Sequence, residues 1–131
     1  MAGIVDLQVL LKEMQPVLDD VEYVFCVIDK KLNKNILDLN PVCTVQEAEG
    51  LTVILEKKIA DDAGFTYEGV YSKITLLVHS SLEAVGLTAA FSNALKDVGI
   101  SANVIAGFYH DHIFVPKDNA LEAITALEAL S

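Results

Sequence analysis

Residues 71–79 read YSKITLLVH, and their positions alternate: Ile74, Leu76 and Val78 point one way, Lys73, Thr75, Leu77 and His79 the other. That period of two predicts a strand. Residues 80–83 (SSLE) then form an S-x-x-E capping box, which predicts a helix start. The helix carries Ala84, Thr88, Phe91, Leu95 and Val98 on one stripe, and Gly99 stops it. SANVIAGF predicts a strand, YHD a tight turn, and HIFVP a return strand ended by Pro116. Asp118 is placed to cap a last helix with Leu121, Ile124 and Leu127 on its apolar side. The order β-α-β-β-α predicts the α+β class: an antiparallel sheet with the helices packed on one face, most of a ferredoxin-like βαββαβ unit. Its last strand is lacking, and would come from the first half of the chain or from a partner chain.

The first half repeats this pattern more weakly. Residues 4–14 place Ile4, Leu7, Leu11 and Met14 at helical spacing, closed by Pro16. EYVFCVI (22–28) reads as a buried strand ending in Asp29 and Lys30. A polar turn, Pro41 and a short helical piece around VQEAE follow, then a strand over LTVILE (51–56) and a helical turn or two in KKIADDAG, stopped by Gly64. The expected organisation is a degenerate unit over 1–64 and a better-formed one over 65–131.

Composition narrows the function classes. With 53% apolar and 21% charged residues, the 131-residue chain has ample material for a packed interior. A net charge of −10 and a pI near 4.5 disfavour nucleic acid and anionic membranes as partners. Cys26 sits in the apolar run YVFCVI and Cys43 stands apart, so no cysteine framework or C-x-x-C motif is present. The N-terminus lacks a basic region before its apolar residues, which speaks against a signal peptide, and no apolar stretch reaches the roughly 18 residues of a spanning helix. The expected setting is a reducing cytoplasm.

AGFYHDHIFVP (106–116) holds the most suggestive chemistry. His110 and His112, at i and i+2 of a strand, could chelate a metal with His79 as a third ligand. A lone H-x-H is a weak signal, and a solvated hairpin tip is the blander account. Asp111 reads either as a turn aspartate bonding its own backbone or as a fixed carboxylate for a small cation. Ser80 either caps a helix or offers, with Ser81, hydroxyl donors beside a helix start. His79 and Ser80 are adjacent in an extended segment and would face opposite ways, a poor nucleophile–base pair. There is no G-x-S-x-G elbow and no Gly-rich phosphate loop. The pairs Asp19–Asp20 and Asp61–Asp62 read as solvated helix-end charges. The expectation is a protein that is not an enzyme and needs no cofactor. Tyr67, Tyr71, Phe108 and Tyr109 could line a pocket for an aromatic or aliphatic side chain, or cover sheet edges or a dimer interface.

Residues 79–116, HSSLEAVGLTAAFSNALKDVGISANVIAGFYHDHIFVP, resemble an ACT domain, above all those of small bacterial proteins with tandem ACT-like units. The hairpin, with Asp111 and His112 running into IFVP, is similar to that of arginine-sensing ACT proteins. YVFCVI and VQEAEGLTVILEKKIADDAG are similar to the tandem family as well. The resemblance implies a non-catalytic regulatory or sensor protein. Such a protein would bind a free amino acid or similar small zwitterion at an interface between units, as a homodimer or higher homo-oligomer. By the same resemblance, Ser80, Ser81, Gly86, Leu87 and Thr88 at the helix start would hold the ligand carboxylate, together with the backbone of Asn103, Val104, Ile105, Ala106 and Gly107. Asp111 would hold the ammonium with His112 beside it, and the side chain would enter an apolar pocket near Val85, Leu87 and Ile105. Two rival readings are a ligand-free protein-interaction module and a metal-binding protein using His79, His110 and His112.

Overall fold

The computed structural model describes residues 3–29 and 35–131. The chain divides into two compact units: Met1–Asp20 with Ser72–Ser131, and Val21–Tyr71. The polar turn expected after Asp29 lies, over 30–34, outside the described residues.

In the first unit, helix α1 (Leu7–Glu13) begins later than the apolar spacing predicts. Asp6 decides this: its carboxylate accepts from the backbone N–H groups of Gln8 and Val9 and caps the helix. Strand β1 (Pro16–Ile28) starts at Pro16, well before the expected strand at Glu22. Its first residues run beside β4 (Tyr71–Leu76). The Leu77 N–H donates to the Gln15 carbonyl at 2.9 Å, and Lys73 Nζ lies 3.5 Å from Asp19 Oδ2. One index rises as the other falls, so the two segments are antiparallel. The order β1–β4–β6–β5 is completed by β5 (Asn103–Ala106) and β6 (Asp111–Pro116). The strand lacking from the second half is thus supplied by residues 16–20 of the same chain.

Strand alternation sets the core. Ile74, Leu76 and Val78 are buried with Ile113 and Val115, and Val104 packs against them. Over this face lie α1, α3 (Leu87–Asp97) and α4 (Ala120–Glu128), contributing Leu10, Leu87, Phe91, Leu95, Ala123 and Leu127. Helix α3 packs on both α1 and α4. Its start departs from the sequence reading. Residues 80–86 form a loop, and α3 begins at Leu87 with Gly86 as N-cap at φ +100°. Ser80 therefore caps nothing; its hydroxyl is engaged elsewhere. The last helix also differs. A short 3-10 turn (Lys117–Asn119) precedes α4, Asp118 does not cap it, and Leu121 is exposed while Ala120 and Ala123 are buried. Leu127 lies in the core and Ile124 packs against it, as expected.

The second unit has strand order β2–β3–β1, built from Cys43–Gln46, Leu51–Glu56 and residues 21–28 of β1. Both pairings are antiparallel, with Cys26 opposite Val53 and Thr44 opposite Val53 on its other side. Val24, Cys26, Ile28, Val53, Leu55 and Ala60 form its core. Cys26 packs there as a small hydrophobe, and burial pushes its thiol above the ordinary range. VQEAE does not form a helix: β2 runs to Gln46, and Glu47 and Gly50 exchange backbone hydrogen bonds across a turn. Helix α2 (Lys57–Ala63) ends at Gly64 in the left-handed conformation, as the sequence predicts.

Phe91 is fully buried between the sheet and the neighbouring helices. Phe91→Ala is expected to lower the unfolding free energy by about 3–5 kcal/mol, read as a fall in the urea midpoint.

Candidate functional site

One end of the first unit gathers the loop after β4, the turn of the β5–β6 hairpin and the start of the chain. The turn is Gly107–His110, closed by the Gly107 N–H donating to the His110 carbonyl at 2.9 Å. A Cβ on Gly107 would stand 2.8 Å from that carbonyl oxygen, so glycine is required there. Asp111 is thus the first residue of β6, not part of the turn, and pairs with Ala106.

Alternation in β6 fixes where the side chains go. Ile113 and Val115 face the core, so Asp111 shares their side of the sheet and is 8% exposed. The Ser80 hydroxyl donates to Asp111 Oδ2 at 3.4 Å. Burial pushes the Asp111 carboxyl above its ordinary value, while the Ser80 hydrogen bond and the charges of His112 and His110 act the other way. His112 faces the opposite side, where its Nδ1 shares a hydrogen bond with Thr75 Oγ1 at 2.9 Å. Burial, then the charges of Lys73 and His110, hold His112 below the usual histidine range, and Asp111 opposes them. A neutral imidazole at pH 7 follows.

The loop leading to α3 is held by the N-terminus. The Ile4 N–H donates to the His79 carbonyl at 2.7 Å, and the Ser81 N–H donates to the Ile4 carbonyl at 2.8 Å. Any Cβ on Gly3 would lie 2.7 Å from backbone atoms of His79, Ser80 and Ser81. The Ser81 N–H is therefore already used, and Ser81 Oγ accepts from the Glu83 N–H. Beyond it, Gly86 provides no side-chain cap for α3. The N–H groups of the first helical turn have no partner within the helix and carry its positive dipole end.

The structure thus joins Ser80 to Asp111 and places Ser81, Gly86, Leu87 and Thr88 along the loop and helix start that follow Ser80. Other expected site residues fall elsewhere. Asn103 and Ile105 pair with Phe114 and His112 and lie on the His112 side of the sheet; Val104 and Ala106 lie on the Asp111 side. Asn103 Nδ2 donates to the Phe114 carbonyl. Val85 is 82% exposed and Leu87 is in the core, so Val85, Leu87 and Ile105 do not line one pocket. Nor do the histidines converge. The His79 ring packs against Phe108 and Tyr109, with centroids 5.8 and 5.2 Å away, and His112 is tied to Thr75. Among the described residues no group of three side chains is placed to hold a metal ion. Sequence reasoning missed the Gly3–Ile4 strap and the packing of His79 on Phe108 and Tyr109. The juxtaposed Gly3 and Ile4 offered no periodic signal for the first.

These features define an α+β protein of two compact units, the first a four-stranded antiparallel sheet under helices in the ferredoxin-like order, carrying a buried acid that accepts from Ser80. Family models described as ACT domain match residues 2–72 and 68–129, and the chain belongs to the ACT domain family. It is similar to a Vibrio cholerae protein of unknown function described as a possible transport protein, at 51% identity, covering 95% of this chain and 94% of that one with a TM-score of 0.84. A protein from Agrobacterium tumefaciens shares the fold at 12% identity, with 90% and 89% coverage and a TM-score of 0.74. So does the ligand-free regulatory subunit of aspartate kinase from Thermus thermophilus, at 11% identity, 88% and 95% coverage and a TM-score of 0.61. No curated protein matches the chain. Among the described residues no helix is long and apolar enough to cross a membrane.

Asp111 also sets a pH dependence. Its folded pKa is raised above the ordinary 3.8, so its stability contribution is fully present below that value and is lost as pH rises through the folded pKa. Asp111→Asn removes the penalty of ionising a buried acid. The melting temperature of the variant minus that of the parent is expected to increase from pH 3.5 toward pH 7 (roughly the span across an elevated carboxyl pKa); a flat difference would mean that Asp111 is not desolvated.

Proposed function

We propose that the chain is a non-catalytic regulatory protein that senses a free amino acid or similar small zwitterion in its first unit. The observation that carries this reading is Asp111: a carboxylate 8% exposed, whose hydrogen-bond partner among the described residues is the Ser80 hydroxyl. An ammonium group beside it would relieve the burial that raises its pKa. The chain contains no arginine, so a bidentate guanidinium clamp for the ligand carboxylate is not available from it. The carboxylate falls instead to the N–H groups around Gly86, Leu87 and Thr88 at the start of α3. Ser80 orients Asp111, and Ser81 shapes the loop between them.

Asn103, Ile105 and His112 act in this reading through the β5–β6 hairpin that carries Val104, Ala106 and Asp111, rather than by touching the ligand. Membership in the ACT family supports a regulatory role, as does the fold shared with the regulatory subunit of aspartate kinase. The homodimer and the cytoplasmic setting belong to the same proposal. Binding would be felt elsewhere only through contacts that differ between liganded and free states.

A thermal-shift screen of the twenty amino acids at millimolar concentration tests the reading. Stabilisation grows as RT ln(1 + [L]/Kd), so a ligand at about 100 times its Kd adds about 2.7 kcal/mol. At least one amino acid is expected to raise the melting temperature. Asp111→Ala is expected to abolish that rise while leaving the far-ultraviolet circular dichroism unchanged. A rise that survives Asp111→Ala would move the site elsewhere, and no rise with any amino acid would favour an interaction module.

A further inference from the structure

The second unit holds a groove that the proposed amino-acid site does not use. It has a volume of about 640 Å³ and lies within Val21–Tyr71, between the Phe25 end of β1 and the loop from Phe65 to Tyr71. That size suits a small organic ligand. Four of the nine aromatic residues of the chain line it: Phe25, Phe65, Tyr67 and Tyr71. None of the four is fully buried: Phe65 and Tyr67 pack partly against the core of the unit, and Phe25 and Tyr71 are half-buried outside that cluster.

The walls are set at defined angles. Phe25 and Tyr71 meet edge to face, with centroids 5.2 Å apart and planes inclined by 65°. Gly69 lies against Tyr71: a Cβ there would stand 3.4 Å from the ring. The Tyr67 hydroxyl donates to Asp61 Oδ1 at 2.6 Å, and Lys57 Nζ donates to Asp61 Oδ2 at 2.8 Å. These bonds anchor the Tyr67 ring and occupy both oxygens of Asp61. Glu68 is the only charged side chain among the described residues lining the groove. The lining therefore presents four aromatic rings and one carboxylate, with no cation among the lining side chains, on a chain of net charge −10.

We propose that this groove binds an alkylammonium group. Ring faces attract a cation through their quadrupoles, and aromatic walls recognise ammonium heads with an apolar shell. Phe25 and Tyr71 are packed edge to face on each other, so a head group would sit over the pair rather than between them. Glu68 adds the charge complement at the rim, and the fixed Tyr67 ring reduces the ordering required on binding.

Choline is the probe, with the neutral alcohol in which tert-butyl replaces trimethylammonium as its control. Both are titrated into the full chain and followed by amide NMR. Choline is expected to give saturable shifts at Gly69 and Tyr71, and the neutral alcohol none. Tyr71→Leu is expected to weaken choline binding roughly tenfold, and exposed Glu68→Gln roughly threefold without disturbing the fold. Asp111→Asn is expected to leave choline binding unchanged, so this proposal and the amino-acid reading stand or fall separately. Equal binding of the neutral alcohol, no saturable shift with choline, or full affinity in both Tyr71→Leu and Glu68→Gln would overturn the proposal.

Discussion

The side-chain period of two in β6 governs the candidate site. Ile113 and Val115 must lie under the helices, because that face closes the core of the first unit. A strand cannot turn one residue without turning the rest, so Asp111 is carried to the same side. Ionising an acid there is unfavourable unless something polar meets it. Ser80 meets it in part, and the Asp111 carboxyl remains above its ordinary pKa. The same constraint sends His112 to the other face, where Thr75 receives it. The chemistry of the HDH run is thus divided between two faces by packing rather than concentrated in one place.

The first residues of the chain complete this unit. Asp6 starts α1, Leu10 and Met14 fill the core, and residues 16–20 add the strand beside β4. Gly3 and Ile4 lie against 79–81 and consume the Ser81 N–H. The Ser81 N–H is thereby taken, while the N–H groups of the first turn of α3 have no partner within the helix. Gly86 matters twice. Its positive φ turns the chain into α3, and its missing Cβ makes room for Leu7, whose Cδ2 would lie 3.0 Å from one. The compact unit is therefore discontinuous in sequence, with its N-terminal strand and helix separated from the rest by Val21–Tyr71.

The alternation of residues 71–78, the apolar stripe through Phe91 and Leu95, the Gly64 and Gly99 stops and the hairpin up to Pro116 were legible because each is a local pattern with one physical reading. Those patterns, with the motifs of 79–116, determined the α+β class and the ACT resemblance. Local pattern misled where two readings were equally good. S-x-x-E can cap a helix or sit in a loop, and the hydrogen bonds of Ile4 with His79 and Ser81 and of Ser80 with Asp111 hold it in the loop. Pro16 can close a helix or open a strand, and pairing beside β4 decides for the strand. In the last helix Ile124 and Leu127 meet the core as expected, but Leu121 is exposed and Ala120 and Ala123 are buried. What tertiary structure alone decided was which residues meet across long separations: Ser80 with Asp111, Thr75 with His112, His79 with the hairpin aromatics, and Phe25 with Tyr71. Periodicity reports which side of its own element a residue faces; it carries no information on what another element brings to that side.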